Sequence, residues 1–291
     1  MSSMDRLLFA VLVLAAAGLT ADAPAADQAE RAFDRLVADY ETWRLAENPI
    51  EAGRRGDLDA LARWPDASPA AVDRRRARTR QFLARLEAID VDALPAGAQT
   101  SHAVLAYLLR SAVARAPFDE QRMPFVNDSG FFTTPLYVAA STRPKTREQA
   151  EAWIARLEAL PEWLDVHVGW MRRGVEAGFV QPAPVVEAVL AQIDTVIATA
   201  PADSPLLAPI EALPPRLAEA HGAALRAEAL ARIESGVMPA YRRIAAFFRD
   251  EYLAEPRTSI GISEVPDGRA YYRALVRHHT TRDTTPEAVH Q

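Results

Sequence analysis

Two tyrosines and two histidines recur in one stretch, RAYYRALVRHHTT, residues 269–281. At helical spacing Tyr272, Leu275, Val276 and His279 share one stripe, and Tyr271, Leu275 and His278 share the next. Phenol hydroxyls donate hydrogen bonds and imidazoles exchange protons near neutral pH, so such a helix could line a polar cleft. The same pattern suits a plainer arrangement, in which the aromatic rings pack and the histidines lie at the surface or the helix end. Neighbouring helical residues point about 100° apart, so His278 and His279 cannot easily ligate one metal ion.

Other chemistry is sparse. The six histidines are His102, His167, His221, His278, His279 and His290, and none is followed by glutamate, so the zinc motif His-Glu-x-x-His is absent. No P-loop, dinucleotide glycine fingerprint or Gly-x-Ser-x-Gly elbow occurs. With no cysteine, disulfides, thiolate zinc sites and a lipidated cysteine are excluded. Ser129 and Ser141 have no base that spacing would pair with them. The run DRRRARTR, residues 73–80, lacks interleaved aromatics for base stacking and reads as a solvated helical face. The formal charge of −6 also argues against a nucleic-acid partner. No metal ligand and no catalytic residue is assigned within the chain.

The elements that would position these residues are helical. Phe33, Leu36, Val37 and Tyr40 fall at i, i+3, i+4, i+7, and Phe82, Leu86 and Ile89 repeat the stripe. Residues 101–115 form another candidate helix. Thr146 with Gln149 makes a capping box before a run aligned on Trp153, Leu157, Leu160 and Leu164. Pro161 is expected to kink or split that run, and Gly178 to end it. Val186, Val189, Leu190, Ile193, Val196 and Ile197 give the clearest stripe. A further pattern covers about 214–235, and Pro239 is expected to open the next helix. The tryptophans at 43, 64, 153, 163 and 170 read as core anchors. Segment 123–138 reads as a structured loop. TSIGISEV, residues 258–265, followed by Pro266-Asp267-Gly268, suggests one short hairpin or edge strand. The fold class is therefore mainly α: a multi-helix array with one short β-hairpin. No linker is long enough to force a domain boundary.

The two ends are informative. Leu7–Leu19 is an apolar run too short to span a bilayer comfortably, and Ala23-Pro24-Ala25 is a small-x-small site. Residues 1–25 thus read as a secretory signal peptide cut near Ala25 or Ala26. The expected localisation is periplasmic or secreted, non-lipidated, with no stable membrane anchor after cleavage. At the other end, Thr285, Pro286 and Glu287 suit an N-cap, a first helical position and the positive end of a helix dipole. The sequence stops about one turn into that helix.

Residues 239–291 carry a resemblance. They contain Pro-Ala-Tyr at 239–241, Tyr252, Arg257, Gly261, Pro266-Asp267-Gly268, Tyr271-Tyr272, His-Thr-Thr at 279–281, and Thr285-Pro286-Glu287 with His290. In that order and spacing they resemble the bacterial domain-of-unknown-function 885 family. Asn48-Pro49, Gly53 and GFVQP at 178–182 agree more loosely. The family looks exported, largely helical and similar to gluzincin-type zinc metallopeptidases. The resemblance implies a zinc ion in the intact family protein, held by a His-Glu-x-x-Pro-Gly-His motif that nothing here matches. It implies that residues 26–291 are the N-terminal part of the helical domain, truncated before the zinc motif and inactive alone. The implied partners are a peptide substrate and the missing C-terminal half. Tyr271, Tyr272, His279 and Thr281 become the candidates for binding substrate or oxyanion, with Gly261, Pro266 and Gly268 as a structural motif. An alternative from a different class is a self-contained exported helical binding module without catalysis.

Overall fold

The computed structural model describes residues 22–254 and 256–289, with side chains from residue 26. The expected signal peptide falls almost wholly outside the described residues, as does His290. In chain order the principal helices are α1 (Asp22–Glu47), α2 (Pro49–Arg54), α3 (Leu58–Leu61), α4 (Pro69–Glu87), α5 (Ala96–Arg115), α6 (Thr134–Ser141), α7 (Arg147–Glu176) and α8 (Ala183–Ala198). A helical run at 215–252 follows, and then α9 (Gly268–Thr280) and α10 (Pro286–Val289). The mainly helical reading therefore holds. Among the described residues no strands pair into a sheet. Two isolated bridges occur, Phe125 with Gly130 and Pro182 with Arg257.

The chain forms two compact units. The first takes in the described part of Met1–Arg44 and Asp73–Ala114. Phe33, Leu36, Phe82, Leu86, Leu105 and Leu109 make its core, as the periodic stripes require. Tyr40 meets Phe82 edge-on with centroids 5.4 Å apart, and Trp43 lies 5.3 Å from the same ring. His102 is buried and donates from Nε2 to the Leu86 carbonyl at 3.0 Å, which fixes its tautomer. The basic run at 73–80 lies within α4, where Arg76 pairs with Asp73 and Arg78 sits 4.6 Å over Phe82.

The second unit takes in the described part of Leu45–Val72 and Arg115–Gln291 and is built on α7. Trp153, Leu157, Leu160 and Leu164 are fully buried along one face. Each nearby indole N–H has a backbone acceptor: Trp64 the Arg156 carbonyl, Trp153 that of Leu206, Trp163 that of Pro65 and Trp170 that of Ala67. These four bonds meet the need of each half- or fully buried indole for an acceptor. Thr146 caps α7 as expected, its hydroxyl accepting from Gln149 N at 3.3 Å. The Gln149 amide reaches one residue further back, to Lys145 N at 2.8 Å. The helix ends where expected: Gly178 is left-handed at φ +67°, and Phe179 N donates to the Gly174 carbonyl at 2.8 Å.

Three expectations are corrected, and a fourth is refined. Pro161 does not split α7, which runs through it for 30 residues. One absent N–H is outweighed by the burial of Leu160 and Leu164 on either side. Pro239 stands in the first turn of an α segment, Met238–Phe247, as expected, although that segment follows without a break on a π turn at Ile233–Val237. That wider turn re-spaces the backbone hydrogen bonds ahead of a residue that has no N–H. Segment 123–138 is loop only as far as Thr133, after which α6 begins. The hairpin at 258–265 is replaced by a single 3-10 turn, Ile262–Glu264. There the Arg257 guanidinium donates to the carbonyls of Ser259 and Gly261, each at 2.7 Å, occupying acceptors that a strand ladder would need.

Candidate functional site

The helix that carries the paired tyrosines and histidines is locked at its start. Asp267 is left-handed at φ +57°, and Gly268 N donates to the Val265 carbonyl at 2.8 Å. A Cβ on Gly268 would collide with the Ile262 carbonyl and stand 2.8 Å from that of Ser263. Only glycine lets α9 seat this closely on the 3-10 turn. Pro266 lies beside Gly178, and the Gly261 carbonyl is held by Arg257.

From that anchor Tyr271 turns inward. Its ring lies 5.2 Å from Phe118 and 5.5 Å from Phe179, and it is only 7% exposed. Its hydroxyl donates to Glu120 Oε1 at 3.1 Å. Glu120 in turn accepts from Arg115 Nη1 at 2.7 and 2.9 Å, on its two oxygens. Burial, reinforced by the Glu120 carboxylate, pushes the Tyr271 hydroxyl far above the ordinary tyrosine range. It stays a neutral donor at every physiological pH. Arg115 Nε is shielded from solvent and has no hydrogen-bond partner among the described residues.

His278 lies two turns further along the same face and is half-buried. Desolvation, the Arg115 guanidinium and the neighbouring His279 hold its pKa below the usual histidine value, with Glu120 opposing. A neutral imidazole therefore stands in the field of an arginine, able to accept a proton or a hydrogen bond. The His279 ring is 4.9 Å away but exposed. Tyr272 is half-buried. Thr281 is exposed and left-handed at φ +59°, where its N–H closes α9 on the Arg277 carbonyl at 3.0 Å. The structure thus joins Tyr271, Glu120 and Arg115 by hydrogen bonds, leaves His278 in the field of Arg115, and sets Tyr272 and His279 elsewhere on the same helix and Thr281 at its C-cap.

Residues 49–291 match the family described as "Bacterial protein of unknown function (DUF885)". The chain belongs to this family. No curated protein matches it. Among solved structures, a crystal structure described as that of "the putative lipoprotein from Colwellia psychrerythraea" matches with a TM-score of 0.76 at 14% identity. The match covers 92% of this chain and 48% of the other, so the chain spans about half the length of that protein. At that identity the likeness establishes the fold. Whether the residues of this DUF885 chain suit a catalytic metal can be asked directly. Among the described residues, no three histidine, aspartate or glutamate side chains come together as a metal site. The described residues therefore offer no zinc site, and no chemical step is routed through one below.

Glu120 and Arg115 escaped the reading of the sequence. Glu120 is 151 residues from Tyr271 and sits in a one-turn 3-10 helix with no periodicity to flag it. A signal was present only in retrospect: Asp119, the residue before it, adopts a left-handed φ of +52°, a conformation for which aspartate is favoured.

Proposed function

We propose that this chain supplies the substrate-binding wall of an exported, peptidase-type hydrolase, and that Arg115 and His278 meet the peptide. The observation that carries the reading is a solvent-shielded Arg115 Nε with no hydrogen-bond partner among the described residues, whose positive field helps to hold the His278 imidazole neutral. A guanidinium donor suits a peptide carbonyl or a developing oxyanion, and an imidazole with lowered pKa suits proton acceptance. Tyr271 is a positioning residue: its hydroxyl holds Glu120, and Glu120 holds Arg115. Tyr272 and His279 on the same helix, and Thr281 at its C-cap, would make outer contacts with the chain of the substrate. The zinc ion that the family resemblance implies finds no ligand set among the described residues. The expected behaviour is therefore peptide binding without hydrolysis.

The test is fluorescence anisotropy of a labelled casein digest with the purified chain. His278→Ala should weaken binding about tenfold, the size of one lost hydrogen bond to a charged or polarised group. Tyr271→Phe should weaken it less, through Arg115. Unchanged affinity in His278→Ala removes the assignment, and zinc-dependent release of new peptide ends by the chain removes the expectation of binding alone.

A further inference from the structure

A second polar feature lies in the same unit, where α2 and the turn after it face the loop between α6 and α7. A cleft of about 370 Å³ opens there, lined by Arg54, Arg55, Arg143 and Lys145 together with Ser141 and Thr142. That volume is in the range of small-molecule sites. Lys145 is the only lysine of the whole chain. In a protein of net charge −6, four cations converge on one opening.

Their opposing charges are few. Arg55 pairs with Glu51 at 3.0 Å. Arg54 donates to the Ser141 hydroxyl at 3.2 Å, and Arg143 to its neighbour's carbonyl, Thr142 O, at 2.8 Å. Among the described residues none of Arg54, Arg143 and Lys145 is paired with a carboxylate. The hydroxyls of Ser141 and Thr142 donate to backbone carbonyls of α6. An anion would therefore be read by the cations themselves.

Arg156 adds positive charge from the core side. It is 1% exposed, donates from Nη2 to the Ala60 carbonyl at 2.7 Å and lies 5.4 Å over the Trp64 ring. Its Nε has no hydrogen-bond partner among the described residues, and no carboxylate pairs with it. Burial first, and the charge of Arg54 second, lower its pKa to about 10. A buried guanidinium without a counter-ion, held within the field of an arginine at the cleft, is costly unless an anion shares the region.

We propose that this cleft binds a phosphate-bearing small molecule. A dianionic phosphoryl group offers three oxygens, enough for two guanidinium forks and one ammonium arriving from separate segments. A single carboxylate would leave most of that charge unanswered.

Isothermal titration of the full chain with pyrophosphate, at fixed ionic strength, tests the assignment. Wild type should give saturable heat. The double variant Arg143→Ala/Lys145→Ala should bind at least about tenfold more weakly, the loss of two exposed charge-assisted contacts. Lys145→Glu should abolish the heat. Arg172→Ala, which breaks an exposed pair with Glu251, should bind like wild type. Arg143, Lys145 and Arg172 are all exposed, and matched melting midpoints confirm intact folding. No heat, equal affinity in the double variant, or citrate binding as tightly as pyrophosphate would overturn the proposal. Vesicles of phosphatidylglycerol form a second arm. Capture that pyrophosphate competes away assigns the phosphate to a lipid headgroup, and no capture assigns it to a soluble ligand.

Discussion

His167 shows how one side chain can tie stability to pH. Its ring lies 4.5 Å from Trp163 and 5.2 Å from Phe131, and both nitrogens are shielded from solvent without a hydrogen-bond partner among the described residues. Burial lowers its pKa to about 4, against 6.5 when unperturbed. Between those values the unfolded chain binds the proton and the folded chain does not, so acid favours unfolding. This contribution is constant above about pH 6.5 and is lost as pH falls towards about 4, by at most about 3 kcal/mol. His167→Phe keeps the ring packing and removes the titration. Urea midpoints of the variant should change less than those of wild type between about pH 7 and about pH 4.5. Parallel midpoint curves would show that another group carries the acid sensitivity. At this scale the sequence was legible in part. Tyr271 and His278 could be placed on one helical stripe, because periodicity states which residues share a face. That Glu120 and Arg115 would complete the group could not be read, because contact across 151 residues leaves no trace in local spacing.

Elements were the most legible level. The helices around Phe33, Phe82 and Trp153 follow from apolar periodicity, and Thr146, Gly178 and Thr285 mark their ends by cap chemistry. Thr285 accepts from Ala288 N at 3.2 Å, as an N-cap should. What failed depended on tertiary contacts. The π turns at Ala218–Gly222, Ile233–Val237 and Phe248–Tyr252 have no local signature, and they join the α segment that Pro239 begins to the helix before it. The hairpin failed because Arg257 claims the carbonyls from its side. The seat of α9 is the element on which the candidate site depends most. Gly268→Ala should displace α9 from the Ile262–Glu264 turn, since the clash is with backbone and cannot be relieved by a rotamer. A cost of about 1–3 kcal/mol is expected, confined to this element. Hydrogen exchange should then speed up over 268–280 and stay unchanged along α7. Unchanged protection in α9 would mean that the helix is held by Tyr271 alone.

For the whole molecule, the division into two units was invisible because its boundaries fall inside helices. The change after Arg44 lies within α1, and that after Val72 lies within α4. Linker composition, the usual mark of a boundary, is therefore absent. Among the described residues no helix is long and apolar enough to cross a membrane. The expectation of export rests instead on Leu7–Leu19 and on Ala23-Pro24-Ala25, and export is the condition under which the proposed peptide-binding wall would meet extracellular peptides. The consequence can be weighed directly. When the full gene is expressed in a Gram-negative bacterium, osmotic shock should release a protein whose N-terminus, by mass spectrometry, is Ala26 or Asp27. Since the chain has no cysteine, no lipid-modified form should accompany it, in contrast to what the description of the Colwellia neighbour would suggest for that protein. An intact Met1 in the cytoplasmic fraction would remove the export step, and with it the setting in which Arg115 and His278 are proposed to act.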